Sequence, residues 1–209
     1  MKKLKKLLPV MIALFVFGNI NAYAQATGEL RSFIMKIEIV ALDFDHKVTA
    51  SMTVWQDVAN DRSASEMTYT VEAGDFTDSS RMLTIEDGMW AYVINLDNNM
   101  GHRVPRSEIE DDDILDVDVI EDEAYFRQMI AEEGGQVVGY ERFLNRNCLV
   151  VEFPQDDFDV DGSAAKVWYY KGLALKIESE FMTLTTTHFE ENPNIPADRF
   201  RVPAGVMME

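Results

Sequence analysis

The chain has 209 residues, of which 37 are acidic and 19 are basic, so its net charge at pH 7 is −18. A surface this acidic is repelled by nucleic acids and by anionic lipid surfaces, both of which select for basic patches. The composition therefore excludes nucleic acid as a partner and leaves the basic face of another protein as a suitable one. The single cysteine, Cys148, excludes an intramolecular disulfide.

The first residues have the three parts of a secretory signal peptide. Four lysines within residues 1–6 precede the apolar stretch 7–17, and the small-residue triplet Ala22-Tyr23-Ala24 follows. The apolar stretch is shorter than the ~20 residues that a membrane-spanning helix needs. We therefore expect cleavage after Ala24 and an exported, soluble, periplasmic protein that does not span the membrane. Its domains would be the signal peptide, 1–24, and one β-rich domain, 25–209.

Alternating apolar and polar residues dominate the rest of the sequence, a pattern typical of strands that bury one face. Such runs begin at Phe33, Val48, Met67, Leu173 and Thr183. Turn-forming pairs lie between them, among them Gly74-Asp75 and Lys171-Gly172. Short strands joined by tight turns predict an antiparallel sheet.

One segment has helical periodicity instead. Within residues 121–133, the apolar Phe126, Met129 and Ile130 recur at a spacing of three and four residues. Acidic residues open the segment and Gly134-Gly135 follows it, as expected for the start and the stop of a helix. We predict an α+β, mostly β fold, in which an antiparallel sheet curves into an unclosed half-barrel around this one main helix.

Apolar and aromatic side chains stand out as the candidate functional residues. Methionine and aromatic groups form adaptable surfaces for apolar ligands, and the same residues are equally suited to an ordinary core. Because one short helix is too narrow to cover many strands, we expect a cavity for an acyl chain between helix and sheet. The predicted ligand-binding residues of this apolar face are Phe33, Met35, Met52, Met67, Tyr69, Trp90, Tyr92, Phe126, Met129, Trp168, Leu175 and Ile177.

Local motifs for catalysis and for metal binding are scarce. The sequence has no phosphate-binding glycine loop, no nucleophile elbow and no H-E-x-x-H motif, so we expect no enzyme and no cofactor. Asp157, Asp159 and Asp161 alternate ahead of Gly162 like the first half of a calcium-binding loop, but Trp168 occupies the position of the bidentate glutamate. These three aspartates are a candidate calcium site, with an acidic turn as the alternative.

Four segments resemble the bacterial outer-membrane lipoprotein-carrier superfamily (LolA/LolB-like), and in particular an exported related family of unknown function. They are DGMWAY at 87–92, the strand pair at 138–151, AKVWYYKGLALKIE at 165–178 and IPADRFRVPAG at 195–205. The resemblance implies an unclosed antiparallel half-barrel whose apolar concave face shelters acyl chains, without enzymatic activity. Ala174 stands where the superfamily usually has proline.

Two hypotheses for function follow from these features. The first is a soluble periplasmic, non-catalytic binder or carrier of apolar or acylated ligands. The second is an envelope structural or regulatory protein that docks a partner with a basic face through its acidic surface. The acidic run at 108–118, which no basic residue interrupts, is the candidate docking segment for such a partner.

The signal peptide gives a direct test. Protein recovered from the periplasm should begin at Gln25, because cleavage after Ala24 removes the basic and apolar parts together. Intact-mass spectrometry of the purified protein measures this. A mass that retains residues 1–24, or one that carries an acyl adduct, would contradict the expected soluble form.

Overall fold

The computed structural model describes residues 30–43, 46–106, 122–154 and 164–208. The signal peptide, the acidic run at 108–118 and the candidate calcium residues Asp157, Asp159 and Asp161 lie outside these ranges. The strands are β1 (Ser32–Asp43), β2 (His46–Asp57), β3 (Arg62–Ala73), β4 (Phe76–Asp87), β5 (Trp90–Asn95), β6 (Met100–Pro105), β7 (Gln136–Phe143), β8 (Arg146–Phe153), β9 (Ala165–Tyr170), β10 (Leu173–Ser179), β11 (Met182–Glu191) and β12 (Met207–Met208). The helix α1 is Glu123–Glu132, and short 3-10 helices lie at Val58–Asn60 and Ala197–Phe200.

The twelve described strands form one sheet in the order β12-β6-β5-β4-β3-β2-β1-β11-β10-β9-β8-β7. Neighbouring strands are antiparallel, except that β12 runs parallel to β6. The terminal strands β7 and β12 do not pair with each other, so the sheet is not closed. The predicted fold, a mostly β domain with an unclosed antiparallel sheet and one main helix, is confirmed for the described residues.

Strand alternation gives the sheet two faces of different composition. We call the side that carries Phe33, Met35, Ile37 and Ile39 the inner face, and the opposite side the outer face. The cross-strand register places these buried side chains opposite equally buried ones: Met35 pairs with Val54, Ile37 with Met52 and Ile39 with Ala50. The inner face therefore holds the main hydrophobic core, and its strands have the predicted period of two.

A second, smaller apolar cluster lies on the outer face. Ala64, Ile85 and Ile94 of strands β3, β4 and β5 pack there with Phe200 of the C-terminal 3-10 helix. The guanidinium of Arg62 lies 4.4 Å from the centre of the Phe200 ring. The alternation in β1 to β3 predicts one buried, apolar face and one polar face. The C-terminal segment covers part of it because β4 and β5 carry apolar residues on both sides.

The helix α1 begins and ends close to its predicted bounds. The side chain of Asp122 accepts hydrogen bonds from the backbone N–H groups of Ala124 and Tyr125, at 3.0 and 3.2 Å, and so caps the first turn. Gly134 then adopts a left-handed conformation with φ of 78°, which favours glycine and ends the helix. The structure therefore confirms a helix within the predicted segment 121–133.

Candidate ligand-binding site

The part of the inner face formed by β1, β2 and β3 is rich in methionine. Met52 lies directly opposite Met67 on the neighbouring strand, and Ala50 lies opposite Tyr69. Met35, Met52 and Met67 are all buried, and Tyr69 packs against the same cluster. Methionine side chains are flexible and polarizable, so this region has the adaptable surface chemistry that suits apolar ligands of varied shape.

The helix packs at the other end of the same cluster. The ring of Phe126 meets that of Tyr169 edge to face, with ring centres 5.0 Å apart. Ile130 lies close to Phe153 at Gly135, where an added Cβ would come within 2.8 Å of each of these side chains. The helix is therefore fixed to the β7–β9 end of the sheet.

Polar side chains hold the exposed side of the helix to strand β7. The Tyr140 hydroxyl donates a hydrogen bond to the Glu123 carboxylate, and Arg127 bonds both of these groups. The Tyr140 bond and the Arg127 pair hold the pKa of Glu123 below its usual value. These exposed bonds fasten α1 from the solvent side, while Phe126 and Ile130 fasten it from the core side.

One buried hydroxyl interrupts the apolar inner face. Thr186 on β11 lies opposite Ile37 and is fully buried, and its Oγ1 has no hydrogen-bond partner in the structure. A buried hydroxyl without a partner costs about 1–3 kcal/mol. The Thr186 hydroxyl is thus an unsatisfied polar group among apolar side chains of the inner face.

The structure places ten of the twelve predicted residues in the main hydrophobic cluster. Eight of them are buried there and two, Tyr69 and Met129, are partly buried against it. The eight buried residues are Phe33, Met35, Met52, Met67, Phe126, Trp168, Leu175 and Ile177. Their burial is compatible with a packed core as well as with a ligand site, so their binding role stays a prediction.

Three of the predicted residues have the strand parity of the outer face. Trp168 is buried, but it alternates with Tyr169, which meets the helix, and its indole N–H donates a 2.8 Å hydrogen bond to Glu141. Tyr92 packs against the outer cluster, and Trp90 shares its parity. The strands alternate as predicted. The alternation within one strand, however, does not show which of its two sets of side chains lies on the inner face of the sheet.

A polar row crosses one end of the inner face. Gln56, Ser63 and Glu86 lie opposite one another on β2, β3 and β4. Burial raises the pKa of the Glu86 carboxyl to about 7, although the Arg106 guanidinium, 4.0 Å away, and a hydrogen bond with Ser63 act in the opposite direction. The apolar inner face therefore ends at a carboxyl group that titrates near neutral pH.

The outer face carries an open groove with a volume of about 710 Å³. Its floor belongs to strands β11, β1, β2 and β3, and Arg199 of the C-terminal 3-10 helix contributes to its wall. The residues around it are mainly hydroxyl-bearing and charged, in contrast to the inner face. Sequence patterns did not indicate this groove, because it depends on where the C-terminal segment crosses the sheet.

Neither a thiol site nor a metal site emerges among the residues that the structure describes. Burial raises the pKa of the Cys148 thiol, which keeps it in the unreactive protonated form. No group of three histidine, cysteine or acidic side chains is placed to hold a metal ion in the described ranges. The same ranges contain no helix with the length and apolarity needed to cross a membrane.

Comparison with known proteins finds similarity of structure only. No family model matches the chain, and no curated protein matches it. A solved structure of an uncharacterized conserved protein from Thermus thermophilus has a TM-score of 0.49 at 8% identity, covering 97% of this chain and 98% of that one. MucB has a TM-score of 0.45 at 10% identity, covering 94% of this chain and 62% of MucB. LprF from Mycobacterium bovis has a TM-score of 0.40 at 8% identity, covering 86% of this chain and 91% of LprF.

The chain is structurally similar to these proteins. At such identities and TM-scores the similarity concerns overall shape and carries no activity or ligand from them to this chain. Membership of the lipoprotein-carrier superfamily remains what the sequence segments suggested, since no family model matches.

The buried Glu86 predicts a pH dependence of stability. Its pKa is about 7 in the folded protein, against 4.5 as the ordinary value, so the folded state binds more protons between these two pH values. Its contribution to the free energy of unfolding should therefore fall as pH rises from about 4.5 to about 7 and level off above that. Replacement by glutamine, Glu86→Gln, should remove this decline.

Urea unfolding of both proteins at several pH values measures the effect. Glu72→Gln, at an exposed position of β3, controls for the loss of one negative charge. If Glu86→Gln and the wild type have parallel profiles between pH 4.5 and 7, the raised pKa is contradicted.

Proposed function

We propose that the chain is an exported, non-catalytic binding protein whose inner face accepts a lipid-like ligand. The observation that carries the proposal is the extent of the apolar inner face. It runs from β8 and β9, where α1 packs, through β10, β11, β1 and β2 to Met67 on β3. Among the described residues, one ten-residue α-helix packs on this face, and it contacts the β7–β9 end of it.

The distribution of methionines supports the same proposal. Met35, Met52 and Met67 lie on β1 to β3, whereas the helix packs at the β7–β9 end, with β10 and β11 between them in the sheet. The flexible side chains are thus concentrated away from the helix contact, where an acyl chain would need an adaptable surface. Each methylene of such a chain that leaves water contributes about 0.8 kcal/mol.

Two polar features favour an amphiphile over a plain hydrocarbon. The Thr186 hydroxyl lacks a partner inside the apolar cluster, and it can bond the carbonyl or hydroxyl group of an ester-linked chain. The row that ends at Glu86 gives one end of the inner face a polar boundary. A ligand with a long apolar part and a small polar group would match the apolar surface and these two polar features.

The absence of enzymatic activity is part of the proposal. The buried Cys148 thiol is held protonated, and the described residues contain no metal-binding group of the kind that supports hydrolysis. The residues around Met35, Met52 and Met67 are apolar, so this part of the inner face offers binding surface without an acid, a base or a nucleophile, and Glu86 lies at its edge.

Uptake of a fluorescent fatty acid tests this function. Delipidated wild-type protein should bind the probe saturably, with an increase in its emission. Met67→Glu places a charge on the inner face and should weaken binding by at least about tenfold, since a buried unpaired charge is strongly unfavourable. Thr70→Glu puts the same charge on the outer face of the same strand and should leave binding unchanged. Circular dichroism must show both variants to be folded.

A filling substitution separates a ligand site from a packed core. Ala50→Leu adds volume to the inner face beside Tyr69. If the neighbouring space belongs to the ligand, the variant should lose probe binding and keep its stability. If the space is already packed, overpacking should cost about 1–3 kcal/mol in urea unfolding. Wild-type protein that binds no probe, together with a destabilised Ala50→Leu, would contradict the proposed function.

A further inference from the structure

The groove on the outer face is lined mainly by polar and charged side chains, whereas the inner face is mainly apolar. Its volume of about 710 Å³ is in the range of small-molecule sites, which is roughly 300–1,000 Å³. Most of its lining residues have the parity of the outer face, and Ile37 and Met52, at inner-face positions of their strands, also border it, whereas Met35 and Met67 do not. We propose that this groove is a second binding site, and that its ligand is an uncharged oligosaccharide.

Residues with free hydroxyl groups are among those that line the groove. Ser51 and Thr53 on β2 and Thr68 on β3 line it, and none of their hydroxyls forms a hydrogen bond within the described part of the chain. A hydroxyl is both a donor and an acceptor, as are the hydroxyls of a sugar. Three such groups on adjacent strands, spaced by the regular sheet, match a ligand that presents hydroxyls along its length.

The charges around the groove are of both signs, in contrast to the strong excess of acidic residues in the chain as a whole. Lys36 and Arg199 contribute positive groups, and Glu38, Glu66 and Glu190 contribute negative ones. Two of these acids face basic partners: Glu66 bonds Arg81 at 3.1 Å, and Glu190 lies 3.8 Å from His188. A site with mixed and partly paired charges favours neither a polyanion nor a polycation, which points to an uncharged polar ligand.

A fixed cation stands at the wall of the groove. The Arg199 guanidinium lies 4.6 Å from the centre of the Trp55 ring, and Trp55 also lines the groove. This contact with the indole restricts the guanidinium, so its N–H donors need less ordering before they bond a ligand. Arg199 thus supplies hydrogen-bond donors at one side of the hydroxyl-lined floor.

Titration with three hexasaccharides tests the proposal: cellohexaose, maltohexaose and chitohexaose, followed by amide chemical shifts in NMR and by calorimetry. At least one should produce saturable shifts at β1, β2, β3 and β11. The variant Thr53→Val/Thr68→Val removes two hydroxyls without changing side-chain shape and should weaken binding by about tenfold. The matched control Thr49→Val/Thr70→Val changes the same two strands, on the same face, outside the groove.

Three results would overturn the proposal. One is the absence of saturable shifts from all three sugars. Another is that the groove variant and its control weaken sugar binding equally. The third is that the sugar-induced chemical-shift changes are confined to residues of the inner face. Fatty-acid binding is measured separately, because Ser51, Thr53 and Thr68 lie on the opposite face of the sheet from Met35 and Met67.

Discussion

The pairing of β1 with β11 is the interaction on which the rest of the structure depends. Strands β1 to β6 follow one another in the sheet, as do β7 to β11, so each series needs only local hairpins. The β1–β11 ladder is what joins the two series, and its partners lie about 150 residues apart in the chain, as Lys36 and His188 show. Without it, the apolar faces of the two halves would not form the single inner cluster that contains both Met52 and Ile177.

An irregularity in that ladder supplies features to both faces. The register shifts between Lys36 and Ile37, so that Lys36 pairs with His188 while Ile37 pairs with Thr186. In a regular strand Thr186 and His188 would share one face, but the extra residue of a β-bulge changes the alternation. Thr186 therefore enters the inner core with its unpartnered hydroxyl, and His188 reaches the outer groove.

The two faces of the sheet differ in the side chains that they carry. The inner face is mainly apolar, with Thr186 and the row that ends at Glu86 among its polar residues, and the helix packs at one end of it. The outer face keeps its hydroxyls and charges over β1 to β3, but the C-terminal segment covers it over β3 to β5. Phe200 fixes that segment, and so it also fixes the position of Arg199 beside the groove. A change at the C-terminal 3-10 helix would consequently act on the groove without altering the inner face.

The sequence was sufficient for features that depend on neighbouring residues. Period-two runs located strands β1, β2, β3, β10 and β11, and the spacing of Phe126, Met129 and Ile130 located the helix. Lys171-Gly172 marked a turn that the structure shows. It was insufficient where distant segments meet. Trp90 and Tyr92 share a parity within β5, but only the register through β4 and β3 shows that this parity joins the outer face. The cover provided by Phe200 and the groove beside Arg199 likewise depend on the path of the C-terminal segment, which no local pattern describes.

The central claim is that the inner face is a ligand surface as well as a core. NMR of protein labelled with ¹³C at the methionine methyl groups, titrated with a fatty acid, tests it most directly. The account predicts shifts and ligand contacts for Met35, Met52 and Met67, with the exposed Met89 and Met207 unchanged. Unchanged inner methionines, or shifts confined to the two exposed ones, would contradict it.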